Sequence, residues 1–353
     1  MSLATQRKLT SQAIADLWQN TFFGQYWRAI GTFIGRGKAV SILVSAAVVM
    51  IVNLFIGVSI SALLGETRFT STPVILTNLM WVTYTYSAII LFFSLHSRLL
   101  EFLRLRLVAS IETEQHLQDL QAWAKQWLGW KLPQFLFNVG FSSIVAPLAF
   151  YAVYHTTNFS IGVIFIYFIN FFHLGANVYG LISLIGFLLR LRNWNLMLYL
   201  DDPGSSPILL QLSEQLRDYI LLFSFAITVF MLLTRLVGAL NIIIIVEFLI
   251  FNWIPILTLF FLGHYAFSSL ITRVKHERMG ILQSKIMNIS KLGQMDTKTM
   301  AQIMSLMDYH DRVKAARNSL INSQAIVNLI GSLALPSLAT LIQAWPYIQN
   351  LFK

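Results

Sequence analysis

The chain of 353 residues contains no cysteine. That excludes a disulfide framework, a thiolate metal site, a cysteine nucleophile and palmitoylation. Charge is almost as scarce, with Asp, Glu, Lys and Arg at 11% of residues, against about 25% in a typical soluble domain. So few charges cannot cover a soluble sphere of this size. A soluble enzyme, a disordered chain and a nucleic-acid-binding domain are therefore set aside as first readings. The sequence also lacks the motifs that carry familiar chemistry. It has no HExxH or HxxxH zinc spacing within an apolar run, no Walker A loop, no GxSxG elbow and no GxGxxG fingerprint. There is no arginine ladder and no potassium-type filter. No low-complexity tract and no internal repeat are present. The expectation is a protein that is not an enzyme and has no cofactor and no metal.

What is abundant is apolar surface: 56% hydrophobic residues, with Phe 27, Trp 9 and Tyr 12. A helix needs about 20 apolar residues to cross the hydrocarbon core, and seven stretches qualify. They run from Ala39 to Leu64, Pro73 to Leu95, Leu132 to Tyr154, Ile161 to Leu189, Tyr219 to Leu240, Ile242 to Phe267, and Leu320 to Trp345. The first lies too far into the chain, and is too long, for a signal peptide, so it is expected to be retained. Of the 25 Lys and Arg residues, 22 fall before the first span or in the connections after the second, fourth and sixth. With seven spans these segments share one side, which the positive-inside rule makes cytosolic. The expected fold is thus all-α, a polytopic membrane protein of seven transmembrane helices, N-terminus cytosolic and C-terminus outside. Residues 1–38 form an amphipathic, cytosolic or interfacial segment. Residues 39–353 form the membrane domain, with cytosolic helical segments 96–131, 190–218 and 268–319. The net charge of +10 then belongs to cytosolic segments and implies no nucleic acid.

The cytosolic segments carry readable helix signals. Ser11 is placed to cap a helix whose apolar positions include Ile14, Leu17, Phe22 and Tyr26, lying in the headgroup layer or on the protein's own face. Thr113 is placed to start another, with Leu117, Leu120 and Ala124 on one face. Trp123, Trp127 and Trp130 precede the third span and read as interfacial anchors. The run Asp201, Asp202, Pro203 and Gly204 reads as a turn before it reads as a metal or diphosphate site. Ser213 or a neighbour opens a short helix leading through Glu214, Arg217 and Asp218 into the fifth span. Asp296 is placed to cap a helix bearing the stripe Met300, Ile303, Met304 and Met307. That stripe either packs on neighbouring helices or forms a cytosolic or subunit interface.

Polar residues inside spans are costly and need protein or water. The fourth span carries Asn170, His173 and Asn177 at i, i+3, i+7, one helical face. They read either as interhelical hydrogen bonds or as the lining of a pore or cavity. Arg235 near the end of span five and Glu247 early in span six read as an ion pair locking a hairpin, or as a charged site on a hydrated path. Asn252 is a further candidate lining residue. Gly57 with Ser61, and Ala176 with Gly180, have the small-residue spacing of close helix packing.

Two function classes follow. One is a channel or solute-permeation subunit of the plasma membrane, with the lipid bilayer as its partner and a homo-oligomer as an option. The other is a membrane scaffold whose cytosolic helices bind a protein partner. A seven-helix receptor is a third class, but this orientation is opposite to that of G-protein-coupled receptors. The inverted seven-span plan with long cytosolic helical extensions is similar in architecture to insect odorant and gustatory receptor channels. Their C-terminal signature motif is absent here. The likeness rests on topology and implies a channel subunit by analogy of plan.

Overall fold

The computed structural model describes residues 2–19, 38–129, 131–154, 160–236, 253–291 and 296–318, with Ala334, Trp345 and Gln349 beyond them. It is about 90% helical, and no strand forms among the described residues. The helices are α1 (Leu3–Gln19), α2 (Lys38–Leu63), α3 (Thr72–Phe102), α4 (Glu114–Leu128), α5 (Lys131–Tyr154), α6 (Ile161–Leu191), α7 (Pro207–Leu236), α8 (Ile254–Lys291) and α9 (Thr297–Ala315). Five stretches are long and apolar enough to cross a membrane: Thr72–Ser110, Lys131–Tyr151, Ile161–Leu191, Pro207–Leu233 and Ile256–Ser290. In α2 the apolar part with described side chains is the shorter Ala47–Leu63. The chain has the helices of a membrane protein. The seventh expected span, from Leu320 to Trp345, lies outside the described residues apart from single positions, as does the connection between the fifth and sixth.

Helix α6 is the hub, packing against α5, α2, α3 and α8. Its 31 residues reach about 46 Å at ~1.5 Å per residue, more than a hydrocarbon core of about 30 Å needs. It meets α2 closely at Gly57, on which the Ile166 side chain of α6 also packs. A Cβ added to Gly57 would stand 2.8 Å from the Gly162 carbonyl, and one on Gly162 would collide with Gly57 and Ser61. The Gly57 and Ser61 spacing is thus a site of backbone-to-backbone approach.

The bundle has two distinct ends. At one, α2 stops in a Schellman turn: Glu66 N–H donates to the Ser61 carbonyl (2.9 Å) and Gly65 N–H to the Ala62 carbonyl (3.1 Å). Gly65 takes φ +73°, which glycine adopts without strain. The turn aims Glu66 at the start of α6. Its carboxylate accepts from the Ser160 hydroxyl (2.5 Å) and the Ile161 N–H (3.1 Å), while the Ser160 oxygen accepts from Val163 N–H (3.2 Å). An anion at a helix N-terminus is favoured by orphan N–H groups and the macrodipole.

At the other end the helices run beyond their apolar stretches and build a layer with its own core. Helix α3 continues through a π turn (Leu103–Leu107) to Val108–Ser110. Leu103, Leu107, Ile111, Leu117, Leu120 and Trp194 are fully buried there. Ile111 pairs antiparallel with Leu196, and Arg7 of α1 donates to the Ile111 carbonyl (2.7 Å). Asp119 of α4 takes Arg190 (3.0 Å) and the Trp194 indole (2.7 Å). His116 Nδ1 accepts the Asn195 N–H (3.0 Å). Burial and the Arg273 charge push its pKa below the ordinary imidazole value, with Asp119 opposing them. Lys275 of α8 is buried and donates to the carbonyls of Lys314 (3.0 Å) and Ala316 (2.6 Å) and to the Asn318 amide oxygen (2.6 Å). A cation thereby closes the C-terminus of α9.

Several sequence expectations meet their structure here. Thr113 and Asp296 do cap α4 and α9, accepting from His116 N–H (3.3 Å) and Thr299 N–H (2.7 Å). Asp202 does make a turn, accepting from Gly204 N–H (3.2 Å). Ser11 does not cap α1: the helix starts at Leu3, where the Ser2 hydroxyl accepts from Thr5 N–H (3.3 Å). Helix α7 opens at Pro207, not Ser213, because proline is pre-set for a first turn. Trp123 is not an interfacial anchor. It is buried, donates to the Ser183 carbonyl (3.2 Å) and packs on Phe187.

Glu66 gives the fold a pH signature. Burial raises its pKa, but hydrogen bonds from Ser160, Ile161, Ser61 and Gly162 outweigh that and hold it below the ordinary value of 4.5. A lowered carboxyl pKa contributes stability above the unfolded value and loses it as pH falls through the folded one. Thermal unfolding followed from about pH 6 to about pH 3 should show a steeper acid loss in the native chain than in Glu66→Gln. Parallel curves would contradict the assignment.

Candidate functional site

The polar face of α6 divides in two along its length. Asn170, about 14 Å from the start of the helix at ~1.5 Å per residue, is buried and accepts from Asn53 Nδ2 of α2 (3.2 Å). The same Asn53 amide also reaches the Ile166 carbonyl (3.3 Å). One turn on, His173 Nδ1 lies 2.7 Å from the Ile169 carbonyl and 3.3 Å from the Tyr86 hydroxyl of α3. At the same end of the bundle Tyr154 of α5 donates to Asn78 of α3 (3.3 Å). Asn170 and His173 are therefore joined to partners on two neighbouring helices. Around them pack Val82, Ile89, Ala146, Phe150, Val163 and Ile166.

Asn177 is placed differently. It lines a cavity between α3, α4, α5, α6 and α7 on the layer side of the polar pairs. The cavity has a volume of about 60 Å³, room for a few water molecules. From α3 it takes Ile89, Phe92 and His96; from α4, Trp127 and Leu128; from α5, Gln134. Helix α6 gives Ala176, Asn177, Tyr179, Gly180, Leu181 and Ser183, and α7 gives Tyr219 and Phe223. Among the described residues, no Asp, Glu, Lys or Arg lines it. His96 Nδ1 and the Tyr219 hydroxyl hydrogen bond to each other across it (3.1 Å). The Asn177 amide nitrogen is buried with no hydrogen-bond partner among the described residues. A buried donor in that state costs about 1–3 kcal/mol unless something fills the position. A Cβ at Gly180 would stand 3.6 Å from the His96 ring, in ordinary van der Waals contact.

Other polar residues belong to the same environment and went unread in the sequence. Gln134, Asn138 and Ser142 recur on α5 at i, i+4, i+8 and are all buried. Asn138 faces Gly175 of α6, and neither of its amide atoms has a partner among the described residues. The four-residue spacing was the available signal. Asn53, alone in its span, gave none.

The remaining candidates are not brought into this site. Glu247 and Asn252 lie outside the described residues, and so does the hairpin expected to join Glu247 to Arg235. Arg235 falls within α7, but its side chain is not described. On α9, Ile303 is buried while Met300, Met304 and Met307 are 46%, 66% and 53% exposed, so the expected stripe splits between an inward and an outward face. Among the described residues no cluster of His, Cys, Asp and Glu could hold a metal. No protein-family model, curated protein or solved structure matches the chain.

The two halves of the α6 face predict opposite responses. Asn53→Ala removes an interhelical donor and should destabilise by about 0.6 kcal/mol, the usual value for such bonds in membranes. Asn177→Leu removes an unsatisfied donor at little change of volume and should leave thermal stability unchanged or raised. Equal destabilisation by both, measured in the same detergent, would contradict the division.

Proposed function

We propose that this is a non-enzymatic, multi-pass membrane protein of seven spans that serves as a channel or solute-permeation subunit of the plasma membrane, singly or as a homo-oligomer. The observation that carries the reading is the cavity lined by Asn177 between apolar helices, beside an amide nitrogen that is buried without a partner among the described residues. A polar group in that state within hydrocarbon-length helices is supported by water or solute. The absence of charge among the described lining residues favours a small neutral solute over an ion for this part of the route, because an unpaired charge there would bear its full desolvation cost. Asn170 and His173 contribute to holding the helices. Arg235, Glu247 and Asn252 keep their sequence-based place as candidates for other parts of the route.

The orientation proposed is N-terminus cytosolic and C-terminus outside, with the helical layer facing the cytosol. Arg98, Arg104, Arg106, Lys125, Arg190, Arg192, Arg273 and Arg278 all belong to the layer end of their helices, which supports that side as the positive one.

A second reading is a scaffold whose layer binds a cytosolic protein. The exposed Met300, Met304 and Met307 favour it, since methionine suits surfaces that repack.

Permeation is tested with the full chain in liposomes. Stopped-flow shrinkage and reswelling in urea or glycerol gradients should be faster than in protein-free vesicles, and Asn177→Leu should slow it severalfold. Rates equal to those of protein-free vesicles for both solutes, with no potassium flux, would overturn the permeation reading and leave the scaffold reading standing.

A further inference from the structure

Helix α8 carries a groove on the outside of the bundle. Ile254, Leu257, Thr258, Phe261, Leu262 and Tyr265 recur along one face and line it, with a volume of about 450 Å³. The groove is shallow and stands open, with Ile254, Phe261 and Tyr265 57%, 62% and 52% exposed. From Ile254 to Tyr265 it runs roughly 16 Å at ~1.5 Å per residue. That is about half of a hydrocarbon core of ~30 Å, the depth of one leaflet. The layer end of the groove is polar. There Arg192, which follows α6, donates to the Tyr265 hydroxyl (3.3 Å), and its guanidinium stands 5.8 Å from the centre of the Tyr265 ring. The hydroxyl oxygen accepts from Arg192, so its hydrogen can turn outward. Among the described residues Arg192 has no carboxylate partner, whereas Arg190 is paired with Asp119 (3.0 Å). A tyrosine at the end of an apolar run belongs at headgroup level. A guanidinium at that level suits a phosphate, which its forked N–H donors match.

We propose that this groove holds one anionic phospholipid from the leaflet on the layer side. An acyl chain lies along α8 from Tyr265 to Ile254, and the phosphate sits on Arg192 and Tyr265. The apolar stripe accepts the chain of any lipid, so the headgroup end sets the choice. An anionic headgroup pairs the Arg192 charge, whereas phosphatidylcholine brings a cation of its own to the same place. The length of the groove matches a chain that enters at headgroup level and ends near the middle of the bilayer. The site lies apart from the Asn177 cavity and does not depend on permeation.

Native mass spectrometry of the full chain in a neutral detergent tests it. The chain is offered equal amounts of phosphatidylglycerol and phosphatidylcholine with identical acyl chains. It should retain phosphatidylglycerol by about fivefold over phosphatidylcholine, the usual worth of one basic residue against anionic lipid. Arg192→Gln should remove most of that preference. Thr258→Trp fills the groove and leaves the charge in place, and should lower phosphatidylglycerol retention severalfold. Arg98→Gln, at the layer end of α3, should leave the preference as it is. Equal retention of the two lipids by the native chain would overturn the proposal, and that result requires no variant to fold. So would a preference that survives Arg192→Gln in full. A preference lost equally in Arg98→Gln would mark a general attraction of the basic end and would overturn it too. Unchanged phosphatidylglycerol retention in Thr258→Trp would mean that charge alone holds the headgroup, which contradicts a chain in the groove.

Discussion

The constraint on which the rest depends is that a polar group among hydrocarbon-length helices must find its partner within the protein. Helix α6 carries Asn170, His173 and Asn177 on one face and packs chiefly against α5, α2, α3 and α8. For Asn170 and His173 the partners are Asn53 of α2 and Tyr86 of α3. Those bonds fix which helices can lie beside α6 and at what height. Each is worth little alone in a membrane, about 0.6 kcal/mol on average. Their effect is to specify an arrangement that apolar contacts would leave loose. The glycine contact between Gly57 and Gly162 brings α2 close enough for Asn53 to reach. Glu66, Ser160 and the Schellman turn then hold the start of α6 against the end of α2.

The same logic organises the layer at the opposite end, with water as the alternative partner rather than lipid. Asp119 joins α4 to the end of α6, and Arg273 and Arg278 of α8 hold the carbonyls of Trp194, Leu198 and Tyr199 that follow α6. Lys275 closes α9. Several of the charges that the composition made scarce join one element to the next. Between this layer and the polar pairs lies the cavity, with aromatic rings in its wall and the Asn177 amide nitrogen without a partner among the described residues.

How much of this was legible in the sequence depended on whether the signal was local. Apolar runs located α2, α5 and α6 to within a few residues because the hydrocarbon thickness sets their length, while α3, α7 and α8 run on past theirs at the layer end. Thr113 and Asp296 announced α4 and α9 because a cap acts within three residues. Ser11 looked the same and was not a cap, because Ser2 precedes it and the helix had already begun. Trp123 followed an interfacial pattern, yet a helix lying across the end of the bundle turned it inward. The periodicity of α6 put Asn170, His173 and Asn177 on one face, but period cannot say what stands opposite. Asn53 sits alone in its span and left no pattern, although it decides the role of Asn170. The i, i+4 recurrence of Gln134, Asn138 and Ser142 was readable and passed unused among many apolar neighbours.

The central claim is that the α6 face is sealed by protein at Asn170 and His173 and opens at Asn177. The cysteine-free chain allows it to be measured directly, by placing a single cysteine at each of the three positions and following its reaction with a small, membrane-impermeant thiol reagent. The account predicts ready reaction at position 177 and slow or absent reaction at 170 and 173. Equal reactivity at all three, or reaction at 170 and 173 with none at 177, would contradict it.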